Sequence, residues 1–239
     1  MLFTINLEKN ILDNKITIAI DGFSSTGKST LAKQLAKALG YVYVDTGAMY
    51  RAIAFFAMQK GFIKTDYLDK EALIASLPNI QLQFQFNPDL GFAEMYLNGE
   101  NVEKQIRTIA VSSFVSKVAE LPEVRSKLVE QQQQMGKDKG IVMDGRDIGT
   151  VVFPEAELKI YMTASAQTRA QRRYDELIQK GDSVTFEEVL QNVEERDYID
   201  THRSNSPLVK AEDAIEIDNS NLTREEQFEL VLDLVKEKS

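Results

Sequence analysis

The apolar run Ile16-Thr17-Ile18-Ala19-Ile20 leads into Asp21-Gly22-Phe23-Ser24-Ser25-Thr26-Gly27-Lys28-Ser29-Thr30, and Leu31, Leu35 and Leu39 then recur at helical spacing. Strand, glycine-rich loop and helix thus follow one another directly, and the loop reads G-x-x-x-x-G-K-S. Gly22 and Gly27 let the backbone turn its N–H groups inward, Lys28 can reach β and γ phosphates, and Ser29 offers a hydroxyl to Mg²⁺. The helix that follows adds its positive end to the same anion site.

The rest of the chain repeats this rhythm. Gly40 ends the first helix, Tyr41-Val42-Tyr43-Val44 is a second strand, and after Asp45-Thr46-Gly47 the residues Met49, Ile53, Phe56 and Ala57 resume helical spacing up to Gly61. Such alternation predicts a parallel sheet with right-handed crossovers, whose ligands collect at the carboxyl ends of its strands, where Asp21, Asp45 and Thr46 lie. Residues 80–86 break the pattern with strict alternation, and Asn87-Pro88-Asp89-Leu90-Gly91 and Asn98-Gly99 are turn chemistry. Residues 64–104 therefore read as a small insert containing an antiparallel sheet, or else as a hairpin extending the main sheet at its edge. Helix returns over 106–136 with a break at Leu121-Pro122. Strands follow at 141–144, ending in Asp144, and at 158–162. A helix from Ser165 to Lys180 places Arg169, Arg172 and Arg173 on one face. Thr185 to Glu188 and Thr223 to Glu226 are capping boxes, flanking a last strand at 214–218.

Composition narrows the chemistry. With 239 residues, 43% of them hydrophobic, the chain can bury a large core; it has no cysteine and one histidine, His202, which excludes thiol catalysis and Cys or His metal clusters. No stretch is long and apolar enough for a membrane span, and Glu8, Lys9 and Asp13 interrupt the first fourteen residues unlike a signal peptide, so a cytoplasmic protein is expected. A formal charge of -9 disfavours nucleic-acid binding. Arginines nevertheless occur in several separate segments, and Arg146, in Gly145-Arg146-Asp147, directly follows a buried strand. Guanidinium groups suit bidentate phosphate grips, and their spread favours two phosphorylated ligands, a donor and an acceptor, over a one-nucleotide switch or ATPase. The chain also lacks the N-K-x-D guanine-reading motif.

Gly22 through Thr30, Asp45-Thr46-Gly47-Ala48-Met49-Tyr50-Arg51, Ile106-Arg107-Thr108, Asp144-Gly145-Arg146-Asp147-Ile148-Gly149-Thr150-Val151-Val152-Phe153-Pro154 and Arg196-Asp197, with Asp200 and Arg203, together resemble the bacterial cytidylate kinases. The likeness runs from Ile16 almost to the end. It implies an α/β fold of the P-loop NTPase kind: a parallel five-stranded sheet flanked by helices, with a small antiparallel-sheet insert and a short helical lid. The implied division is a core of 1–63 and 105–239, a lid at about 166–184 within it, and 64–104 as part of the acceptor-nucleotide-binding insert. The implied reaction is transfer of the ATP γ-phosphoryl group, with Mg²⁺, to CMP or dCMP by a monomeric chain. A kinase of another small acceptor is the nearest alternative.

By the same resemblance, Gly22, Phe23, Ser24, Ser25, Thr26, Gly27, Lys28, Ser29 and Thr30 bind ATP together with Arg169 and Arg173. Ser29 is the metal contact, with Thr30 a second hydroxyl beside it. Thr46, Arg51, Arg107, Ser116, Arg125, Asp144, Arg146, Asp147, Arg196, Asp200 and Arg203 form the CMP site. Lys28, Arg51, Arg146, Arg172 and Arg196 are the catalytic cations.

Overall fold

A computed structural model describes residues 14–64 and 67–239; Glu8, Lys9 and Asp13 lie outside the described residues. Five parallel strands form the main sheet: β1 (Thr17–Gly22), β2 (Val42–Asp45), β8 (Ile141–Gly145), β9 (Leu158–Thr163) and β10 (Ile215–Asp218), in the spatial order β10, β9, β1, β8, β2. β1 is therefore central, and every one of its residues is buried. Its ladder pairs Asp21 with Gly145 and Gly22 with Met162, so the strand runs two residues beyond the apolar run and delivers the glycine-rich loop at the sheet's carboxyl edge.

Helix α1 (Lys28–Leu39) starts within the loop motif, with Gly27 at φ 89° as its N-cap and Gly40 at φ 66° closing it. Leu31 and Leu35 pack with Ile18, Ile20, Ile160 and with Val231 and Val235 of α8 (Arg224–Lys238) on one face of the sheet. On the other side, α2 (Thr46–Gln59) shares a core with α4 (Ile109–Ala119) and α5 (Pro122–Met135), which the leucine before Pro122 separates as expected.

Between α2 and α4 lie a two-stranded ribbon of β3 (Ile63–Lys64) and β4 (Tyr67–Leu68), helix α3 (Lys70–Ser76), and a sheet of β5 (Leu82–Asn87), β6 (Phe92–Leu97) and β7 (Glu100–Asn101). This antiparallel sheet has no ladder to the main sheet, so the hairpin is a separate unit and not an extension of its edge. Asn98 and Gly99, at φ 50° and 87°, make its tight turn. Alternation holds only where there is a core to meet: Leu82 and Phe84 pack on the α2 cluster, whereas Phe86 at the strand's end is 69% exposed. Helices α6 (Ala166–Gln179) and α7 (Phe186–His202) pair through a small core of Ala170, Leu177, Val189 and Val193, and both capping boxes form. Among the described residues no helix is long and apolar enough to cross a membrane.

Gly22 is irreplaceable for a steric reason. A Cβ there would stand 2.1 Å from the Met162 carbonyl oxygen, and its φ of 143° is one that other residues rarely adopt. Gly22→Ala is expected to lower the unfolding free energy by about 3 kcal/mol, read from the denaturant midpoint at unchanged slope.

Candidate active site

One cavity of about 290 Å³ opens along the carboxyl edge of the sheet. The loop enters it through Ser24, Ser25, Gly27, Lys28, Ser29 and Thr30, while Gly22, Phe23 and Thr26 lie behind as its scaffold. Lys28 is 5% exposed, and its Nζ donates to the Phe23 carbonyl at 2.5 Å and to Thr26 Oγ1 at 3.5 Å. Burial pushes its ammonium down to about 7, with Arg146 adding to the effect and Asp144 and Asp21 opposing it. Ser29 Oγ donates to Asp144 Oδ2 at 2.9 Å, and Tyr43 donates to Asp144 Oδ1 at 2.8 Å.

The opposite wall begins at Asp45. Its Oδ1 caps α2 at Ala48, and its Oδ2 meets both Arg51 and Arg107 at 2.8 Å. Burial favours the neutral acid, yet the two guanidinium groups hold the Asp45 carboxyl well below the usual carboxylate range. Arg107 is gripped in addition by Glu103 at 2.6 Å. Thr46 Oγ1 donates to the Asp144 carbonyl at 2.8 Å, which joins β2 to β8 at the floor. Deeper in, Arg125 pairs with Asp147 and donates to the Ala119 carbonyl, with the Tyr50 ring 5.4 Å from the guanidinium carbon and the buried Ser116 beside them. From α7 and the segment after it, Asp200 accepts from Arg146 Nε at 2.7 Å and stands 3.8 Å from Arg203. Arg196 makes no ion pair among the described residues; burial lowers its guanidinium to about 10, Arg146 reinforces that and Asp200 opposes it.

The three arginines of α6 diverge. Only Arg173 lines the cavity, held by Glu176 at 3.0 Å. Arg169 is buried behind the loop, bonded to Asp197, to the Ala164 and Ser24 carbonyls, and 5.0 Å from the Phe23 ring. Arg172 donates to the side chain and carbonyl of Asn219, whose amide in turn donates to the Thr26 carbonyl at 2.6 Å. A shared helix face therefore does not bring Arg169 and Arg172 to a shared ligand: each is drawn to acceptors on the loop's outer side, and together with Asn219 they brace it. The other arginines expected in the site all line the cavity, as do Thr46, Ser116, Asp144, Asp147 and Asp200.

The charge balance is opposite to that of the chain. Nine cationic side chains line the cavity against five acidic ones, within a chain of net charge -9. Of the eight buried side-chain polar atoms lacking a partner among the described residues, six belong to cavity residues: Ser24, Tyr50, Arg51, Arg125, Arg196 and Arg203. Buried donors left unmatched cost stability unless a ligand uses them. The cavity is thus strongly cationic and holds buried polar atoms with no partner among the described residues.

The cytidylate kinase family model matches residues 18–237. The chain belongs to the cytidylate kinase family. It is 78% identical to a cytidylate kinase of Flavobacterium johnsoniae, over 93% of this chain and 97% of that protein. Cytidylate kinases of Bacteroides thetaiotaomicron, at 58% identity over 90% of this chain and 94% of the relative, and of Porphyromonas gingivalis, at 54% over 95% and 98%, match equally fully. As a member of this family the chain is a kinase.

Sequence reasoning gave three members of this network no role in the site. It placed Asp45 at a strand's carboxyl end, where ligands collect, and Tyr50 within the D-T-G-A-M-Y-R stretch, but assigned neither a contact. Tyr43 had no such signal, because a strand tyrosine reads as packing until the sheet order sets it beside Asp144. Asp45→Asn leaves Arg51 and Arg107 facing each other, and the unfolding free energy should fall by about 2–3 kcal/mol at neutral pH. The folded carboxyl is depressed, so this contribution is present above its ordinary value of 3.8 and is lost as pH falls below it. The gap between wild type and variant should therefore hold from pH 7 down to about pH 5 and shrink as pH falls below about 4 in denaturant titrations.

Proposed function

We infer that this chain transfers the γ-phosphoryl group of ATP to CMP and dCMP, giving ADP and the cytidine diphosphate. The observation that supports it most is the cation-rich cavity whose unpartnered guanidinium atoms begin where the phosphate loop ends. A triphosphate on Lys28 and the loop N–H groups puts its γ end towards Arg146 and Arg196. A monophosphate held by Arg51, Arg146 and Arg196 presents an oxygen to it from the Asp45 side, and Arg107 lies along that wall. Such an oxygen is already anionic near neutral pH, so in-line transfer needs no strong general base; it needs positioning and charge.

Ser116, Arg125 and Asp147 stand deepest in the acceptor half and offer a hydroxyl, a guanidinium and a carboxylate to the edge of a cytosine. Asp200 and Arg203 offer the matching groups to its sugar and phosphate. Ser29 and Asp144 present the hard oxygen donors that suit Mg²⁺, and they would hold it or its waters beside the donor phosphates. Bound there, Mg²⁺ neutralises charge on the β and γ phosphates. Arg173, rather than Arg172, is the lid guanidinium placed to reach the donor, and Arg169 and Arg172 keep the loop in shape. In this scheme 1–63 and 105–239 form the kinase core, about 166–184 its lid, and 64–104 belongs to the acceptor-binding insert.

Steady-state ADP release with ATP and Mg²⁺ across the common nucleoside monophosphates tests the reading. CMP and dCMP should be the best acceptors; AMP or UMP turned over well above CMP, or ATP hydrolysis indifferent to CMP, would contradict it. Lys28→Ala should cost about 3–4 kcal/mol of transition-state stabilisation, a loss of roughly 10²–10³-fold in kcat. Near-full turnover by that variant would remove Lys28 from the chemistry.

A further inference from the structure

Asp21 is the residue of β1 just before the loop's first glycine, and both of its carboxylate oxygens bond amides outside the loop. Oδ1 accepts the Ile148 N–H at 2.8 Å, and Oδ2 accepts the Gly149 N–H at 2.7 Å. Those amides open the π turn Ile148–Val152, and Asp147, which precedes that turn, gives it no side-chain cap. The first N–H groups of any helical turn lack partners within it, and a capping carboxylate normally comes from the residue just before. Here it comes from 127 positions earlier in the chain.

The cap has neighbours that matter. Arg146 and Asp147, the two residues before the turn, both line the cavity: Arg146 holds Asp200, and Asp147 pairs with Arg125. Thr46 and Ile148 crowd Gly145, where a Cβ would lie 2.7 Å from both Thr46 Oγ1 and an Ile148 side-chain carbon. Arg146 and Asp147 are the two residues between that glycine and the capped amides, so a displacement of Ile148 and Gly149 shifts their backbone directly. Asp21 itself is 5% exposed, and burial pushes its carboxyl up to about 7 against the pull of the Gly149 and Ile148 N–H groups. Keeping an acid there has a cost in stability, and both of its oxygens are used on this one turn. π turns of this kind recur at functional sites.

We propose that Asp21 is a positioning residue for the acceptor nucleotide: by holding the Ile148 and Gly149 amides it fixes the Arg146 and Asp147 side chains that meet the acceptor's phosphate and base. This rests on the two-nucleotide reading above. The residue just before the donor loop thus serves the acceptor side, and the rigid central strand gives the two half-sites a common reference.

The test is separate calorimetric binding of CMP and of a non-hydrolysable ATP analogue to wild type, Asp21→Asn and Asp21→Ser, with thermal unfolding followed in parallel. An asparagine keeps the shape but accepts only one of the two N–H bonds, so CMP binding should weaken about tenfold, as expected for one lost hydrogen bond to a charged group, while the ATP analogue, which feels Asp21 only through its charge on Lys28, weakens clearly less. In steady state the same split should appear as a larger rise in KM for CMP than for ATP. Equal weakening of both ligands, or unaltered CMP binding in a cooperatively folding variant, would overturn the proposal. Loss of folding in both variants would also overturn it, by making Asp21 a residue of the fold. A wild type that does not bind CMP contradicts the function proposed above instead.

Discussion

Positive charge held out of water at the carboxyl edge of β1, β2 and β8 is the constraint around which the site is arranged. Nine cationic side chains face one cavity, and the fold makes that tolerable by giving several of them a buried carboxylate each. Asp45 pairs with Arg51 and shares Arg107 with Glu103, Asp147 neutralises Arg125, and Asp200 neutralises Arg146 and faces Arg203. What is left over, at Arg196 and Lys28, is charge that burial disfavours, most of all at Lys28. In the function proposed above, such a site meets phosphate with groups already in place and desolvated, which is where electrostatic stabilisation of a transition state is strongest.

The scaffold makes these placements rigid. The loop is pinned on its outer side by Arg169 and by Asn219, themselves anchored to Asp197 and Arg172, and on its inner side by the Phe23 and Thr26 contacts of Lys28. Residues 48–128 contribute one continuous hydrophobic cluster, so α2, the hairpin insert, α4 and α5 carry Arg51, Ser116 and Arg125 as a unit. The sheet carries Asp21, Asp45 and Asp144. Between the two stands Arg146, at the end of β8, in contact with α7 through Asp200.

Much of this was legible in the residues, and the reasons differ from place to place. The strand, loop and helix at 17–39 and the capping boxes at Thr185 and Thr223 are local features, set by neighbours in the chain, and they appear where expected. The motif Gly145-Arg146-Asp147 marked the sheet's ligand edge because an arginine directly after a buried strand is unusual, and all three residues line the cavity. What could not be read was which partner each long side chain would choose. Arg169, Arg172 and Arg173 share a helix face by spacing, but their acceptors, Asp197, Asn219 and Glu176, belong to three different parts of the chain. Asp21 capping a turn 127 residues away, and Tyr43 meeting Asp144, likewise depend on the sheet order β9, β1, β8, β2, which no local pattern encodes.

The central claim is that one cavity holds donor and acceptor together, end to end, on this charge. It is tested most directly by calorimetry with a bisubstrate analogue in which a polyphosphate chain joins adenosine to cytidine. The account predicts one molecule bound per chain, more tightly than either ATP or CMP alone, with both nucleotides displaced by it. Two molecules bound per chain, or displacement of only one of the two nucleotides, would contradict it.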